Sequence, residues 1–216
     1  MLWNRSICKV ANYPPPTTTR EFHTGLAQCG KLSFIVRVLG IDPGSETTGW
    51  GVIEGDSNGQ RYRLIEYGSI KLSSSATFAA RLLRINRALE EVIERLKPEA
   101  FAIEEAFYSV NPKVTLKLGQ VRGVALLAAE RAALAIGEYS PRRVKQTVAG
   151  YGNADKHQVQ QMVRVLLSLT VIPEPHDAAD ALAVAICHFH HAGISERLNS
   201  AVSDATLTRK AAVRRR

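Results

Sequence analysis

The chain has 216 residues, a formal net charge of +8 at pH 7 and 45% hydrophobic residues, enough for one domain with tails or two small domains. No apolar run reaches membrane-spanning length. Its three cysteines, Cys8, Cys29 and Cys187, lack CxxC or ligand spacing, which excludes a disulfide framework and a zinc site and points to a reducing compartment.

The charge is unevenly spread. In residues 1–35, Arg5, Lys9, Arg20 and Lys31 stand against Glu21 alone. In residues 194–216, Arg197, Arg209, Lys210, Arg214, Arg215 and Arg216 stand against Glu196 and Asp204. The middle is close to neutral, so a nucleic-acid-binding core must segregate its cations onto one face. Residues 1–35 include "NYPPPTTTREFHTG", a Pro/Thr-rich stretch that reads as a disordered extension. It has no convincing apolar segment of the kind secretory signals carry. An organellar transit peptide with only two arginines, or a gene start placed too far upstream of Val36, are the open explanations.

From Val36 the pattern is regular. Val36–Ile41 is an apolar, β-branched strand, Gly49–Glu54 a second and Tyr62–Leu72 a third, the last two joined by the turn "GDSNGQ". The segment "SSSATFAARLLRINRALEEVIERLKP" spaces its apolar residues for an amphipathic helix that ends before Pro98. Ala100–Ile103 is a short strand, Val114–Ala135 a long helix and Ile136–Tyr139 another short strand. Helices follow over Pro141–Ala149, Asp155–Leu169 and Asp177–His191. Residues 194–216 read as a basic, flexible tail. The order β-β-β-α-β-α-β-α predicts an α/β fold: a five-stranded mixed sheet flanked by helices on both faces. The helix Val114–Ala135 carries small residues at Gly119, Gly123, Ala125, Ala128, Ala129 and Ala132. These suit close packing on the sheet or on a partner subunit, and the sequence does not choose.

Four carboxylates fall at three element ends. Asp42 closes the first strand and Glu104 the fourth, while Asp177 and Asp180 open the last helix, three apart and hence on one face. Each has a plainer reading alone: Asp177 as an N-cap, Asp180 in the favourable first helical turn, Glu104 and Glu105 as solvated residues past a strand. Asp42 resists such a reading, because it directly follows an apolar strand in which an unpaired carboxylate is costly. "DPGS" also suits a turn, with Gly44 free to adopt positive φ. Four converging carboxylates repel one another, and a hard divalent cation with oxygen ligands relieves this. Two such ions can stabilise both oxygens of a phosphodiester displacement.

The segments "LGIDPGSETTGWGVI", "FAIEEAFYSVNPKVTLKLGQVRGVALLAA", "YSPRRVKQTVAGYGNADKHQVQQMV" and "DAADALAVAICH" resemble the RuvC-type Holliday-junction resolvases. The resemblance runs from about Val36 to Ala192. It implies an RNase H-like fold over residues 36–193 and a homodimer that nicks opposing strands of a four-way DNA junction in the cytoplasm, in recombination and repair. It further implies a branch-migration motor complex of RuvA and RuvB as partner. It assigns Asp42, Glu104, Asp177 and Asp180 to catalysis and to Mg²⁺ binding, two ions per site, with Mn²⁺ as a substitute. Lys145 and Lys156 fall on lysines that contact DNA near the cut, and Phe107 on an aromatic that contacts junction bases. Arg142 and Arg143 share the "SPRRVKQ" segment with Lys145, and the ordinary reading of that segment is a solvated helix face. His176 is expected as a turn residue or a support beside the site. The tail from Arg209 either adds nonspecific DNA affinity or plays no part.

Three rivals remain at this stage. An actin-like or sugar-kinase-type ATP-binding fragment also opens with a Gly-rich hairpin. The other two are an inactive DNA-binding module of the same fold and a related nuclease with a different nucleic-acid substrate.

Overall fold

The computed structural model describes residues 8–9, 35–56, 61–105 and 111–191. Its sheet contains β1 (Cys8–Lys9), β2 (Ile35–Asp42), β3 (Thr47–Asp56), β4 (Tyr62–Lys71), β5 (Ala100–Glu104) and β6 (Ala135–Tyr139), in the order β1-β4-β3-β2-β5-β6. β2, β3 and β4 form the expected antiparallel meander, and β5 and β6 add in parallel to β2. The five expected strands are therefore present. The two-residue β1 is an addition from the segment expected to be disordered: Cys8 pairs opposite Gly68 and Lys9 opposite Tyr67. An open strand edge offers unpaired N–H and C=O groups, and β4 would otherwise be that edge. The remaining residues of 1–34, the 57–60 turn and the basic tail lie outside the described residues.

Successive side chains of a strand point to opposite faces of the sheet. On one face, Leu39, Ile41, Trp50, Val52, Phe101 and Ile103 form a bulky core with α1 (Phe78–Leu96) and α2 (Pro112–Arg131). Thr77 caps α1 by accepting from the Ala80 N–H, and the helix stops at Lys97 in the left-handed conformation. It buries Ile85, Leu89, Val92 and Leu96 at helical spacing. α2 is shorter than its sequence pattern predicts, because Ala133 at φ 53 turns the chain into β6. It rests on the sheet through Val121, Ala125, Ala128 and Ala129. A Cβ added at Gly119 or Gly123 would meet nothing within 4 Å, and Leu116 and Leu127 are 68% and 55% exposed. Ala125, Ala128 and Ala129 thus face the core shared with α1 and the sheet, Ala132 is exposed, and the glycines lie along an exposed apolar stripe.

On the opposite face the strands present Val38 and Ile53 and, toward the carboxyl ends of β2 and β5, only Gly40, Gly49, Gly51, Ala100 and Ala102. Here α3 (Pro141–Ala149), α4 (Lys156–Leu166) and a helix over 176–191, designated α5, are packed. Asp155 caps α4 in a reciprocal arrangement with Gln158. Ala178, Ala179 and the run from Ala181 to Cys187 are all buried, so α5 is enclosed almost all round. Its composition of mostly alanine and short aliphatics allows that close approach.

Candidate active site

Asp42 and Glu104 are the terminal residues of the neighbouring parallel strands β2 and β5, whose register pairs Ile41 with Ile103 one residue earlier. Both carboxylates therefore emerge at the carboxyl end of the sheet, on the Gly/Ala face. Ligand sites of open α/β sheets lie at such strand ends. Asp180, from the first turns of α5, joins them in lining a cleft of ≈ 320 Å³. Lys145 of α3 and Lys156 of α4 form the cationic side, and the rest of the wall is apolar. The Lys156 ammonium donates to Asp180 Oδ2 at 2.7 Å.

The turn behind Asp42 is tightly held. Thr48 is buried; its hydroxyl donates to the Gly44 carbonyl at 3.0 Å and accepts from the Gly44 N–H at 3.4 Å. Gly44 does not use the freedom to adopt positive φ: among the described residues only Gly150 is a glycine in that region. Its need is steric, since a Cβ there would lie 2.0 Å from the Thr47 carbonyl oxygen.

The electrostatics are those of crowded acids. Burial, then the charges of Glu104, Asp180 and Asp177, push Asp42 up to about 7, against the pull of Lys156. Burial and Asp180 push Glu104 up to about 7 as well, against Lys145 and Lys156. Burial alone would lower the Lys156 ammonium, but its bond to Asp180 and the Asp180, Asp42 and Asp177 charges hold it above its ordinary value. Asp177 therefore acts on the cluster electrostatically although it does not line the cleft.

The capping alternative for Asp177 fails. Helical structure begins at residue 176, and the Pro175 carbonyl accepts from the Ala178 and Ala179 N–H groups. Asp177 therefore lies inside the first turn, where helix-dipole alignment favours a carboxylate. His176 is exposed beside it and is not part of the cleft lining. Arg142 and Arg143 are exposed on α3; Arg142 is one turn before Lys145, whereas Arg143, two residues before it, is on a different helix face and acts on Tyr139, Cys187 and His191. Arg142 lies over the α3–α4 loop, where its Cγ would be 2.7 Å from a Cβ added at Gly152. Phe107 lies outside the described residues. Thr48 and the close-packed glycines were not singled out as site supports from the sequence; the only signal was their density in "DPGSETTGWG".

Residues 38–188 match the family model described as crossover junction endodeoxyribonuclease RuvC. The chain belongs to the RuvC family. The RuvC of Caldanaerobacter subterraneus subsp. tengcongensis is 50% identical over 163 residues, covering 76% of this chain and 98% of that protein. The RuvC of Chloroflexus aurantiacus is 49% identical over 162 residues, covering 75% and 98%. Among solved structures, T. thermophilus RuvC in complex with Holliday junction substrate matches with a TM-score of 0.70 and 37% identity, over 74% of this chain and 96% of that one. The yeast mitochondrial Holliday junction resolvase Ydc2, at 15% identity and TM-score 0.54, shares the fold.

RuvC-family membership carries dependence on a divalent metal. The residues fit such an ion chemically: the donors are carboxylate oxygens, which hard cations take, and the mutual repulsion that adds to burial in raising Asp42 and Glu104 is what a cation would relieve. Among the described residues, no group of three or more His, Cys, Asp or Glu side chains stands arranged to hold a metal ion. Asp180 is turned to Lys156, and Asp177 stays outside the cleft lining. No helix among the described residues is long and apolar enough to cross a membrane.

Proposed function

We propose that this protein is a Mg²⁺-dependent, structure-specific endodeoxyribonuclease that resolves four-way DNA junctions by paired nicks in opposing strands. The observation that carries the proposal is one cleft in which Asp42, Glu104 and Asp180 meet Lys145 and Lys156, in a chain of the RuvC family. The DNA-bound relative at 37% identity supports junction DNA as the ligand. The ATP-binding alternative is the weaker one, because the chain matches the resolvases over nearly their whole length.

Asp42, Glu104, Asp177 and Asp180 are the proposed metal ligands for two Mg²⁺ ions, replaceable by Mn²⁺. Held by these carboxylates, such an ion would lower the pKa of a water and would draw charge from the phosphoryl oxygens. The protein's own groups do the rest. Lys145 and Lys156 anchor the scissile phosphate and offset its developing charge. Arg142 and Arg143 extend the cationic track along the phosphate backbone. Phe107 stacks on an unpaired base at the crossover, a contact of about 1–3 kcal/mol. The apolar wall of Pro141, Val144, Val159 and Ala183 limits water around these charges, which strengthens them.

Cutting two strands at matched positions calls for two sites related by a dyad. The exposed stripe Leu116, Gly119, Gly123 and Leu127 on α2 supports a homodimer through that helix. Residues 36–193 are the proposed catalytic domain, with 1–35 an extension and 194–216 a basic tail. The setting is cytoplasmic recombination and repair, alongside a RuvA–RuvB branch-migration motor.

The deciding assay incubates the protein with a synthetic four-way junction and a matched linear duplex, with Mg²⁺ or with EDTA. Symmetric paired nicks in the junction alone, and only with Mg²⁺, are expected. Equal cutting of the duplex, or cutting in EDTA, overturns the proposal.

A further inference from the structure

The Gly/Ala face of the sheet does more than make room for α5. A Cβ added at Gly49 would lie 1.9 Å from the Asp177 carbonyl oxygen, 2.3 Å from its carbon and 3.0 Å from the Ala178 nitrogen. The backbone of Asp177 thus rests directly on the Cα of Gly49. Gly49 is in turn the residue paired across the ladder with Asp42. One strand position therefore sets the spacing between two acids that belong to segments 135 residues apart in sequence. A similar contact recurs at Gly40, where a Cβ would lie 2.1 Å from the Ala181 carbonyl oxygen, next to Asp180.

Gly51 differs. It pairs with Gly40 across β2 and β3, but its Cβ would meet the Leu182 side chain, at 2.5 Å from Cδ2 and 2.7 Å from Cγ, with the backbone nitrogen no closer than 3.6 Å. A side chain can rotate away; a helix carbonyl moves only if the helix moves. None of the three glycines is at positive φ, so alanine strains none of their backbones. The difference lies in what each would push.

We infer that Gly49, with Gly40 behind it, is a positioning residue for the metal site: the missing Cβ lets α5 seat deeply enough to bring Asp177 and Asp180 within reach of an ion held by Asp42 and Glu104. This rests on the metal-ligand roles proposed above. An alanine at Gly49 must lift the first turn of α5 by about 1.5 Å to restore ordinary contact, and a misplacement of about 1 Å at a site can cost on the order of 10²-fold. Gly51→Ala perturbs the same groove without that lift.

The test is Mg²⁺ binding by isothermal titration calorimetry on the full chain without DNA, alongside thermal unfolding in EDTA. Gly49→Ala is expected to weaken Mg²⁺ affinity at least tenfold, and Gly51→Ala to leave it within about twofold despite a comparable fall in Tm. The double variant Gly49→Ala/Asp177→Glu, with one more methylene in the ligand, should recover part of the affinity while its Tm stays low. In cleavage, Gly49→Ala should raise the Mg²⁺ concentration for half-maximal rate more than it lowers the saturated rate. Should Gly49→Ala fail to fold, Gly40→Ala carries the same expectation through Asp180. Wild-type affinity in a folded Gly49→Ala or Gly40→Ala overturns the positioning role alone. Equal affinity losses in Gly51→Ala and Gly49→Ala, at matched Tm, do the same by reducing the effect to general destabilisation. A wild-type protein that takes up no Mg²⁺ overturns both this inference and the functional proposal beneath it.

Discussion

The two faces of the sheet are built on opposite principles. Against α1 and α2 the strands present Leu39, Ile41, Trp50, Val52, Phe101 and Ile103, large side chains that exclude water by volume. Against α3, α4 and α5 the positions nearest the acids are Gly40, Gly49, Gly51, Ala100 and Ala102, with Val38, Ile53 and Tyr139 as the larger strand residues, and most of the volume comes from the helices. Leu39 and Gly40 are chain neighbours, as are Ile41 and Asp42. Strand alternation thus separates a bulky, stabilising face from the face that carries the acids. The reactive face has its acids at the strand ends, where Asp42 and Glu104 are pushed up to about 7 chiefly by burial. It forgoes electrostatic stability for a site that attracts cations.

The largest effect expected from breaking that contrast is at Asp42. Asp42→Asn should reduce junction cleavage by at least about 10³-fold, if the proposed role of Asp42 as a ligand of the charge-neutralising metal holds. Junction binding should survive within a few-fold, because it rests on phosphate contacts. The same variant tests the electrostatic cost. A folded-state pKa raised from 3.8 to about 7 means that the folded protein binds more protons than the unfolded chain between those values. Stability then falls as pH rises from about 4 to about 7. In EDTA, the wild-type Tm should drop from pH 5 to pH 8 and the Asp42→Asn Tm should drop less. A Tm that rises with pH in the wild type would contradict the sign. Readily measured Mg²⁺-dependent cleavage by Asp42→Asn would remove Asp42 from the chemistry.

Next in size is the bulky face. Phe101 is fully buried there, with α1 and α2 packed over the same cluster. Phe101→Ala should cost about 3–5 kcal/mol of folding free energy. Its effect on Mg²⁺ affinity in the fraction that stays folded should be small. A matched loss of metal affinity would mean that the two faces are not separable.

Much of the fold was legible in the chain, for identifiable reasons. The β-branched run before Asp42, the apolar spacing of α1 and the alanine run of α5 each carry one dominant period. Asp42 stood out because it interrupts an apolar strand. The strands proved longer than their apolar cores: β3 begins at Thr47, where backbone pairing with Lys71 and a buried Thr48 side chain replace apolar burial. β1 has only two residues and no sequence period to detect. The small residues of α2 could not be sorted by sequence, because alanine and glycine both permit close approach; the fold sends Ala125 and Ala129 inward and leaves Gly119 and Gly123 open. The acids were legible one by one, but the Lys156–Asp180 bond was not. It depends on how α4 sits beside α5, and no local pattern encodes that. Gly49 was hidden for the same reason, since its partner is a carbonyl 128 positions away.

Lys156 sharpens the comparison at smaller scale, because its stem starts the first turn of α4 while its charge reaches into the acidic cleft. Lys156→Ala should slow cleavage about 10²-fold, the size expected for loss of one transition-state donor, while junction affinity changes only a few-fold. It also removes the cation that holds Asp180 at 2.7 Å, so Mg²⁺ affinity should be unchanged or tighter. Wild-type turnover in this variant would reduce the bond to a surface ion pair.

Arg142 should show the smallest effect and the one most specific to DNA. It is exposed on α3, lies over Gly152 and is absent from the cleft lining, so it can touch a phosphate without touching the acids. Each phosphate contact releases condensed counterions and adds about 0.9 to the slope of log affinity against log salt on duplex DNA. Arg142→Ala should therefore weaken junction binding several-fold at low salt and reduce that slope by about 1. The saturated cleavage rate should stay close to wild type. Junction affinities measured at four salt concentrations separate this from a folding defect, which would lower the active fraction and leave the slope intact. An unchanged slope would take Arg142 off the DNA path and leave Arg143, Lys145 and Lys156 as the cations proposed to meet the backbone.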